Sequence, residues 1–338
     1  MQDLCIGFRK RGGRLLPVID AANLSLDPRQ AVGIVGESGS GKTMLCRALI
    51  GTLARHGAEI TAGTVMFGGL DLAAASERVW RGIRGREIGY IPQSSLAGLN
   101  PVLTVETQLV ESIAATGPLS RRQAKDKAVE LLERVRIPRA PQVLKARGHQ
   151  LSGGMRQRVM IAAAIAQAPK LLIADEPTTA LDVTIQREIL SLITQLRHEL
   201  NMALVLVSHD LAVIEDVCDE VMVMYAGASV ESGPVAALST TPRHPYTRGL
   251  RVSRVDRAVP GQDLEAIPGD AASVGSWPPG CRFWPRCPHA DEECRRDPHP
   301  VLMPIGQQLS ACIHAERLVL GEQPSAVAGR AEPAHQRR

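Results

Sequence analysis

One segment of eight residues, Gly36–Thr43, constrains the fold of this 338-residue chain more than any other. It reads Gly-Glu-Ser-Gly-Ser-Gly-Lys-Thr and fits the pattern G-x-x-x-x-G-K-[ST] in full. Glycines there let backbone N–H groups cradle phosphate oxygens, Lys42 supplies a charge for the β- and γ-phosphates, and Thr43 offers a hydroxyl to Mg²⁺. The apolar run Ala31–Val35 precedes the segment, and a helix is predicted from about Thr43 to Leu53. This strand–loop–helix order predicts an α/β nucleotide-binding domain. The residues predicted to hold phosphate are Gly36, Glu37, Ser38, Gly39, Ser40, Gly41, Lys42 and Thr43.

A second strand carries the carboxylates that such a site needs. Residues 171–176 read Leu-Leu-Ile-Ala-Asp-Glu, an apolar run ending in two acids. A buried strand of a parallel sheet would deliver Asp175 beside the phosphate loop, where it can hold Mg²⁺. Glu176 follows at once and can polarise the water that attacks the γ-phosphate.

A third segment, Leu151–Arg158, places Ser152, Gly153 and Gly154 at the start of a predicted helix. Glycines there expose backbone N–H groups at a second anion-binding helix N-terminus. One γ-phosphate does not need two such loops from one chain. The economical interpretation is that this loop serves a nucleotide held by another subunit.

The flanking sequence predicts the rest of an alternating α/β order. Residues 60–93 alternate apolar and polar as antiparallel strands do, and residues 104–136 and 155–168 have helical periodicity. Further on, a helix is predicted over residues 183–200, a strand over 203–207, a helix over 211–217, and a hairpin around Ala226-Gly227. Such alternation indicates a layered α/β domain.

With these segments in this order, residues 1–235 resemble an ATP-binding cassette (ABC) ATPase. The resemblance implies a RecA-like core with an antiparallel β subdomain and a helical subdomain at about residues 95–168. It assigns Lys42, Gln93, Glu176 and His209 to catalysis, with Thr43, Gln93 and Asp175 around Mg²⁺. It gives nucleotide contacts to Ser152, Gly153, Gly154 and the D-loop residue Asp182, and adenine stacking to Phe8. The alternatives are core packing for Phe8, a structural role for His209 and an ordinary loop position for Gln93.

Two residues depart from the usual family pattern. Met155 ends the signature loop where glutamine is common, and a thioether offers no amide hydrogen bond. Thr179 opens the D-loop where serine is more common. Since Ser152 and the glycine N–H groups remain, neither change predicts an inactive site.

Two longer segments resemble one branch of the family, the D-type ATPases of dipeptide and oligopeptide importers. They are Leu151–Gln186, in which Met155 is the form this branch uses, and the downstream Arg243-His244-Pro245-Tyr246-Thr247. The branch implies two membrane permeases, an external substrate-binding protein and a second ATPase, either a paralogue or a second copy. It also implies a peripheral position on the cytoplasmic face of the inner membrane.

Composition leaves the transport role open to few rivals. The net charge is +4, and the basic residues are not clustered in a stripe, which argues against nucleic-acid binding. No apolar run is long enough for a membrane helix. The alternatives are import of another solute (nickel, a glycoside or another small molecule) and a non-transport ABC ATPase of DNA repair or translation. An iron–sulfur regulator with a vestigial ATPase is a further rival, which the intact Lys42, Glu176 and His209 oppose.

The chain changes character near residue 240. The last 98 residues hold 13 of the 23 prolines, and four of the seven cysteines are Cys281, Cys287, Cys294 and Cys312. We therefore predict an ABC domain over 1–240, a loop-rich C-terminal cysteine module over 241–320 and a disordered tail over 321–338. The spacings are wider than those of common zinc sites and suit four-thiolate iron–sulfur binding. The resemblance implies a [4Fe–4S] cluster, with Zn²⁺, free thiols or disulfides as alternatives.

Overall fold

The computed structural model describes residues 1–10, 12–94, 98–114, 119–254, 266–318 and 320. Its strands are β1 (Gln2–Arg9), β2 (Leu15–Ala22), β3 (Ala31–Val35), β4 (Ala58–Thr64), β5 (Met66–Phe67), β6 (Leu70–Asp71), β7 (Ile88–Ile91), β8 (Leu171–Asp175), β9 (Ala203–Ser208), β10 (Glu220–Tyr225), β11 (Ala228–Pro234), β12 (Met303–Ile305) and β13 (Gln308–Ser310). Its helices are α1 (Lys42–Leu49), α2 (Glu77–Ile83), α3 (Val105–Ala114), α4 (Arg121–Arg134), α5 (Ala140–Val143), α6 (Gly153–Ile165), α7 (Val183–Leu200), α8 (Leu211–Val217), α9 (Val235–Thr240) and α10 (Pro245–Val252).

Five parallel strands form one side of the main sheet, in the order β10-β3-β9-β8-β7, with β7 at the edge. Every residue of β3, β8 and β9 is buried. Such continuous apolar strands suit a parallel sheet, because helices cover both of its faces. The predicted strands over residues 31–35, 171–174 and 203–207 are thus confirmed.

Two smaller regions flank this sheet. Strands β2, β1 and β4 form an antiparallel sheet, and helices α3 to α6 follow between β7 and β8 in the chain. Helices α3, α4 and α6 pack on one another through residues such as Leu109, Leu132 and Val159, all fully buried. Both subdomains of the predicted fold class are therefore present.

Some sequence-based boundaries were wrong. Residues 60–93 do not form only antiparallel strands, because α2 interrupts them and β7 joins the parallel sheet beside β8. The helical periodicity predicted over 104–136 is confirmed and corresponds to two helices, α3 and α4, and Ser120 caps the second one with a capping box. Gly117 and Pro118 stand between them in the sequence, and proline is unfavourable inside a helix. Helix α1 ends at Leu49 rather than Leu53.

The region beyond residue 240 is joined to the main sheet. Strand β13 pairs with β11, where Glu231 lies opposite Ser310, and β12 follows at the edge. Within the described residues the sheet thus has eight strands, three of them antiparallel additions beyond β10. The division at residue 240 stays a prediction, and the tail over 321–338 lies outside the described residues.

A buried carboxylate ties β11 to the start of α10. Glu231 is fully buried, and its two carboxylate oxygens accept the backbone N–H groups of Arg243 at 2.7 Å and His244 at 2.9 Å. The Nδ1 atom of His244 in turn accepts the N–H of Tyr246 and caps α10. Burial raises the pKa of Glu231 to about 7.

No helix in the described ranges is both long and apolar enough to cross a bilayer.

The buried Glu231 predicts a pH-dependent stability. Because its folded-state pKa lies above the usual value of 4.5, the folded chain binds this proton more tightly than the unfolded chain. Its stabilising contribution is complete below about pH 4.5 and is lost as the pH rises through about 7. Relative to Glu231→Gln, the wild-type chain should lose up to about 3 kcal/mol of unfolding free energy across this window.

Denaturant unfolding of both proteins at several pH values measures this difference. The matched control is Glu130→Gln, which changes an exposed carboxylate on α4. A wild-type-minus-Glu231→Gln difference that is flat from pH 5 to pH 8 would contradict the prediction.

Candidate active site

The phosphate loop links the end of β3 to the start of α1, and glycine is required at two of its positions. A Cβ atom on Gly36 would lie 2.2 Å from the carbonyl oxygen of Met224, so no larger residue fits there. Gly41 precedes the first residue of α1 and has a φ of 104°, which disfavours residues with a side chain. The loop therefore turns tightly and leaves the first N–H groups of α1 available to an anion.

Lys42 is buried at the centre of this loop, with 5% of its surface exposed. Its Nζ atom donates to the carbonyl oxygens of Gly36 at 2.7 Å and Glu37 at 3.0 Å. The same Nζ lies 3.9 Å from Oε1 of Glu176. Burial lowers the pKa of Lys42, although the neighbouring carboxylates act in the opposite direction.

Asp175 ends β8 and faces Thr43. The carboxylate is fully buried, and its Oδ1 accepts from Oγ1 of Thr43 at 3.4 Å. Its Oδ2 accepts from the hydroxyl of Tyr90 on β7 at 3.3 Å. Burial is the largest cause of a raised pKa at Asp175. Thr43 and Asp175 thus present neighbouring oxygen atoms, the ligands that Mg²⁺ prefers.

Glu176 collects several polar contacts. Its Oε2 accepts from Nε2 of Gln93 at 3.0 Å and from Oγ1 of Thr179 at 3.0 Å, and lies 3.6 Å from Nδ1 of His209. The His209 side chain is the largest cause that lowers the pKa of Glu176 to about 2, and Glu176 likewise raises the pKa of His209. The carboxylate is therefore ionised and held from three sides.

The backbone of Glu176 is strained as well. Its φ is 47°, in the left-handed region, and its N–H donates to the carbonyl oxygen of Val207 on β9. Strain of this kind persists where the surrounding structure holds a residue in place, and it concentrates at functional sites.

Other predicted site residues lie elsewhere. Ser152 caps α6 by accepting the N–H of Met155 at 3.2 Å, and Asp182 caps α7 by accepting the N–H of Ile185 at 2.9 Å. Within the described ranges, no hydrogen bond or ion pair joins Ser152, Gly153 or Gly154 to the phosphate loop. The hypothesis that these residues face a second subunit stays a prediction.

Phe8 lies on β1 and is half-buried against the apolar cluster of the antiparallel sheet. Its backbone pairs with Leu16 on β2 and Ala58 on β4. Core packing accounts for these contacts, and adenine stacking stays a prediction.

Sequence reasoning missed three residues around the loop. Tyr90 contacts Asp175, as described above, while Tyr246 and Arg286 contact Glu37 from beyond residue 240. Tyr246 stands inside the segment 243–247 that resembles the peptide-importer branch, Tyr90 stands three residues before Gln93, and Arg286 stands next to Cys287. The available signal was the position of Arg286 among prolines and cysteines, but nothing in the sequence predicts that it pairs with Glu37.

The four C-terminal cysteines line one small cavity, together with Phe283 and Trp284. None forms a disulfide. Burial raises the pKa of Cys287 to about 11 and that of Cys312 to about 12.

A second possible ligand set overlaps this cavity. Asp291, Cys294 and His314 each offer one ligand atom, and these three atoms lie within 4.8 Å of one another. Oδ2 of Asp291 is 2.9 Å from Nε2 of His314.

Two family models match the chain. The model described as ABC transporter matches residues 19–179, and the one described as oligopeptide/dipeptide transporter, C-terminal region, matches residues 230–294. The second range includes three of the four clustered cysteines and the contact residues Tyr246 and Arg286.

Among solved structures, the ATP-binding cassette MJ0796, in a dimeric post-hydrolysis state bound to ADP and Pi, has a TM-score of 0.62. It is 25% identical and covers 69% of this chain and 97% of its own.

Curated relatives are similar over most of this chain. A peptide import ATP-binding protein of Brucella abortus is 43% identical over 312 residues, which cover 92% of this chain and 93% of the relative. The oligopeptide transport ATP-binding protein AppD of Bacillus subtilis is 42% identical over 289 residues, covering 85% of this chain and 87% of the relative. This chain therefore belongs to the ABC transporter ATP-binding proteins that carry the oligopeptide/dipeptide transporter C-terminal region.

Proposed function

We propose that this chain hydrolyses ATP as the nucleotide-binding subunit of an importer of dipeptides and oligopeptides. One observation carries the ATPase part: the phosphate loop, Asp175, Glu176, Gln93 and His209 meet at one edge of the parallel sheet. Relatives named for peptide import, at 42–43% identity, support the substrate class.

Each residue of the site has a role in this reaction. Lys42 exchanges the carbonyl oxygens of Gly36 and Glu37 for phosphate oxygens when ATP binds. Thr43 and Asp175 hold Mg²⁺, with Gln93 as a further oxygen ligand. The ion supplies neutralisation of the charge that develops on the transferred phosphoryl group.

Glu176 orients the attacking water and accepts its proton. Its Oε2 accepts from Gln93 and Thr179 and lies 3.6 Å from Nδ1 of His209, whose side chain is the largest cause of a pKa lowered to about 2. The same contacts place Gln93 and His209 beside the carboxylate that would take the proton.

A second ATPase subunit completes the site in this proposal. Ser152, Gly153 and Gly154 lie at the start of α6 with no hydrogen bond, within the described ranges, to this chain's own phosphate loop, and they would contact the ATP held by the other subunit. The MJ0796 cassette, which has the same fold, is dimeric. The remaining partners are two transmembrane permeases and an external substrate-binding protein, which place this subunit on the cytoplasmic face of the inner membrane.

The cysteine cavity fits a metal centre. Four thiols share one small cavity with apolar neighbours, a donor set that suits a [4Fe–4S] cluster. We propose that Cys281, Cys287, Cys294 and Cys312 hold it and that it stabilises a segment rich in proline. The alternative is Zn²⁺, which the group of Asp291, Cys294 and His314 favours, because zinc accepts oxygen, sulfur and nitrogen ligands.

Two substitutions separate ATP binding from hydrolysis. Lys42→Ala should abolish Mg²⁺-ATP binding. Glu176→Gln should retain binding and lower hydrolysis by about 100-fold or more, because a general base typically contributes that much. Calorimetry measures Mg²⁺-ATP binding, and phosphate release by the assembled transporter measures hydrolysis, with Glu130→Gln as the control for both. Wild-type turnover in Glu176→Gln would refute the assigned base.

The substrate class is tested by uptake. Cells that lack this subunit should lose uptake of labelled dialanine and tetra-alanine, and the wild-type gene should restore it, whereas Lys42→Ala should not. Uptake of ⁶³Ni²⁺ and of a labelled glycoside should be unchanged. Loss of nickel or glycoside uptake with normal peptide uptake would support the corresponding alternative solute. Normal uptake of all three would favour a role outside transport.

The metal centre is tested on anaerobically purified protein. We expect a brown protein with iron and acid-labile sulfide, both lost in Cys287→Ser. Cys5→Ser is the matched control, since Cys5 lies on β1 and outside the cavity. Colourless protein that contains zinc and no iron would contradict the cluster, and zinc loss in His314→Ala would then assign the alternative site.

A further inference from the structure

One residue of the phosphate loop is held by the C-terminal part of the chain. Glu37 lies in the loop, yet its carboxylate receives two parallel bonds from Arg286, Nη1 to Oε2 at 2.6 Å and Nη2 to Oε1 at 3.0 Å. Its backbone N–H donates to the hydroxyl of Tyr246 at 2.8 Å. These contacts span more than 200 residues of sequence and act on both the side chain and the backbone of one residue.

The guanidinium of Arg286 is also held in place by contacts other than the one with Glu37. Only 7% of the residue is exposed, and its Nε donates to the carbonyl oxygen of Pro268 at 2.7 Å. Its Cζ lies 5.7 Å from the ring centre of Tyr225 and 6.0 Å from that of Phe283. A paired, bidentate guanidinium with these further contacts has little freedom to move.

Tyr246 is equally well fixed. It is fully buried on α10, and its ring packs 4.8 Å from Tyr225 and 5.3 Å from Phe283, centre to centre. The cap by His244 and the bonds from Glu231 set the start of this helix. These contacts therefore direct the hydroxyl of Tyr246 toward the phosphate loop.

Glu37 also contacts Lys42, the lysine of the phosphate loop. The carbonyl oxygen of Glu37, together with that of Gly36, accepts from Nζ of Lys42. A free carboxylate at position 37 would also repel an incoming triphosphate, whereas a carboxylate paired with Arg286 presents no net charge. Holding Glu37 thus affects both the loop's shape and its charge.

We propose that Arg286 and Tyr246 are positioning residues of the ATP site, so that the C-terminal segment completes the phosphate loop. The inference rests on the proposed ATPase function. It predicts that substitution of either residue weakens ATP binding, although each residue acts through Glu37 and not by direct contact with the nucleotide.

The test compares variants of the full-length chain for Mg²⁺-ATP binding by calorimetry. Arg286→Gln should raise the Kd about tenfold or more, a factor that corresponds to about 1.4 kcal/mol. Tyr246→Phe, which removes one oxygen and keeps the ring packing, should raise it about threefold or more. Lys42→Ala reports whether binding uses the phosphate loop at all.

The matched control is Arg197→Gln. Arg197 has the same 7% exposure and pairs with Asp219 at 3.2 Å, but Asp219 contacts the beginning of β3 rather than the loop. This variant should lower the Tm of the free protein, as Arg286→Gln should. It should nevertheless keep the wild-type Kd and the wild-type rise in Tm at saturating ATP.

A double-mutant cycle isolates the ion pair. Glu37→Gln and Arg286→Gln should each weaken binding, and the double variant should be no weaker than Arg286→Gln alone. The proposal is overturned if Arg286→Gln and Tyr246→Phe bind Mg²⁺-ATP with the wild-type Kd. If Arg286→Gln does not fold, the result for Tyr246→Phe decides.

The two proposals fail in different ways. A wild-type chain that does not bind ATP, or a Lys42→Ala variant that binds it normally, overturns the ATPase function and this inference together. Binding that depends on Lys42 but not on Arg286 or Tyr246 overturns this inference alone.

Discussion

The hydrogen-bonded register of four parallel strands is the constraint on which the site depends. Strands β3, β9, β8 and β7 end at one edge, so that Val35 lies opposite Ser208 and Asp175 lies opposite Val207. Neighbouring strands are about 4.8 Å apart, so residues that follow them come within contact distance. A slip by one residue would turn Asp175 to the other face of the sheet and separate it from Thr43.

The charged groups at this edge of the sheet have polar partners within the protein. Lys42 is satisfied by backbone carbonyl oxygens, and Glu176 is satisfied by Gln93, Thr179 and His209. Buried charges without partners are costly, which explains why these groups are paired inside the protein. In the proposed function, the phosphate oxygens of ATP would replace the carbonyl partners of Lys42, and the attacking water would lie beside Glu176.

Aromatic packing brings the C-terminal part of the chain into this arrangement. The chain has only nine aromatic residues, and three of them, Tyr225, Tyr246 and Phe283, pack on one another. They join the last central strand β10, helix α10 and the cysteine segment. Since Arg286 follows Phe283 by three residues and Tyr246 reaches Glu37 directly, the cluster connects the cysteine cavity with the phosphate loop.

The sequence alone determined the phosphate loop, the strand that ends in Asp175-Glu176 and the parallel α/β class, because those features depend on local patterns of glycine, charge and apolar residues. It also singled out Tyr246's segment and the four cysteines, but it did not reveal that β13 joins the main sheet or that Arg286 pairs with Glu37. Helix α2 and the parallel strand β7 were predicted wrongly, as part of a run of antiparallel strands, because short apolar runs fit several structures. Only the tertiary structure decided these points, because contacts across 249 residues of sequence depend on how the whole chain packs and leave no periodic signal.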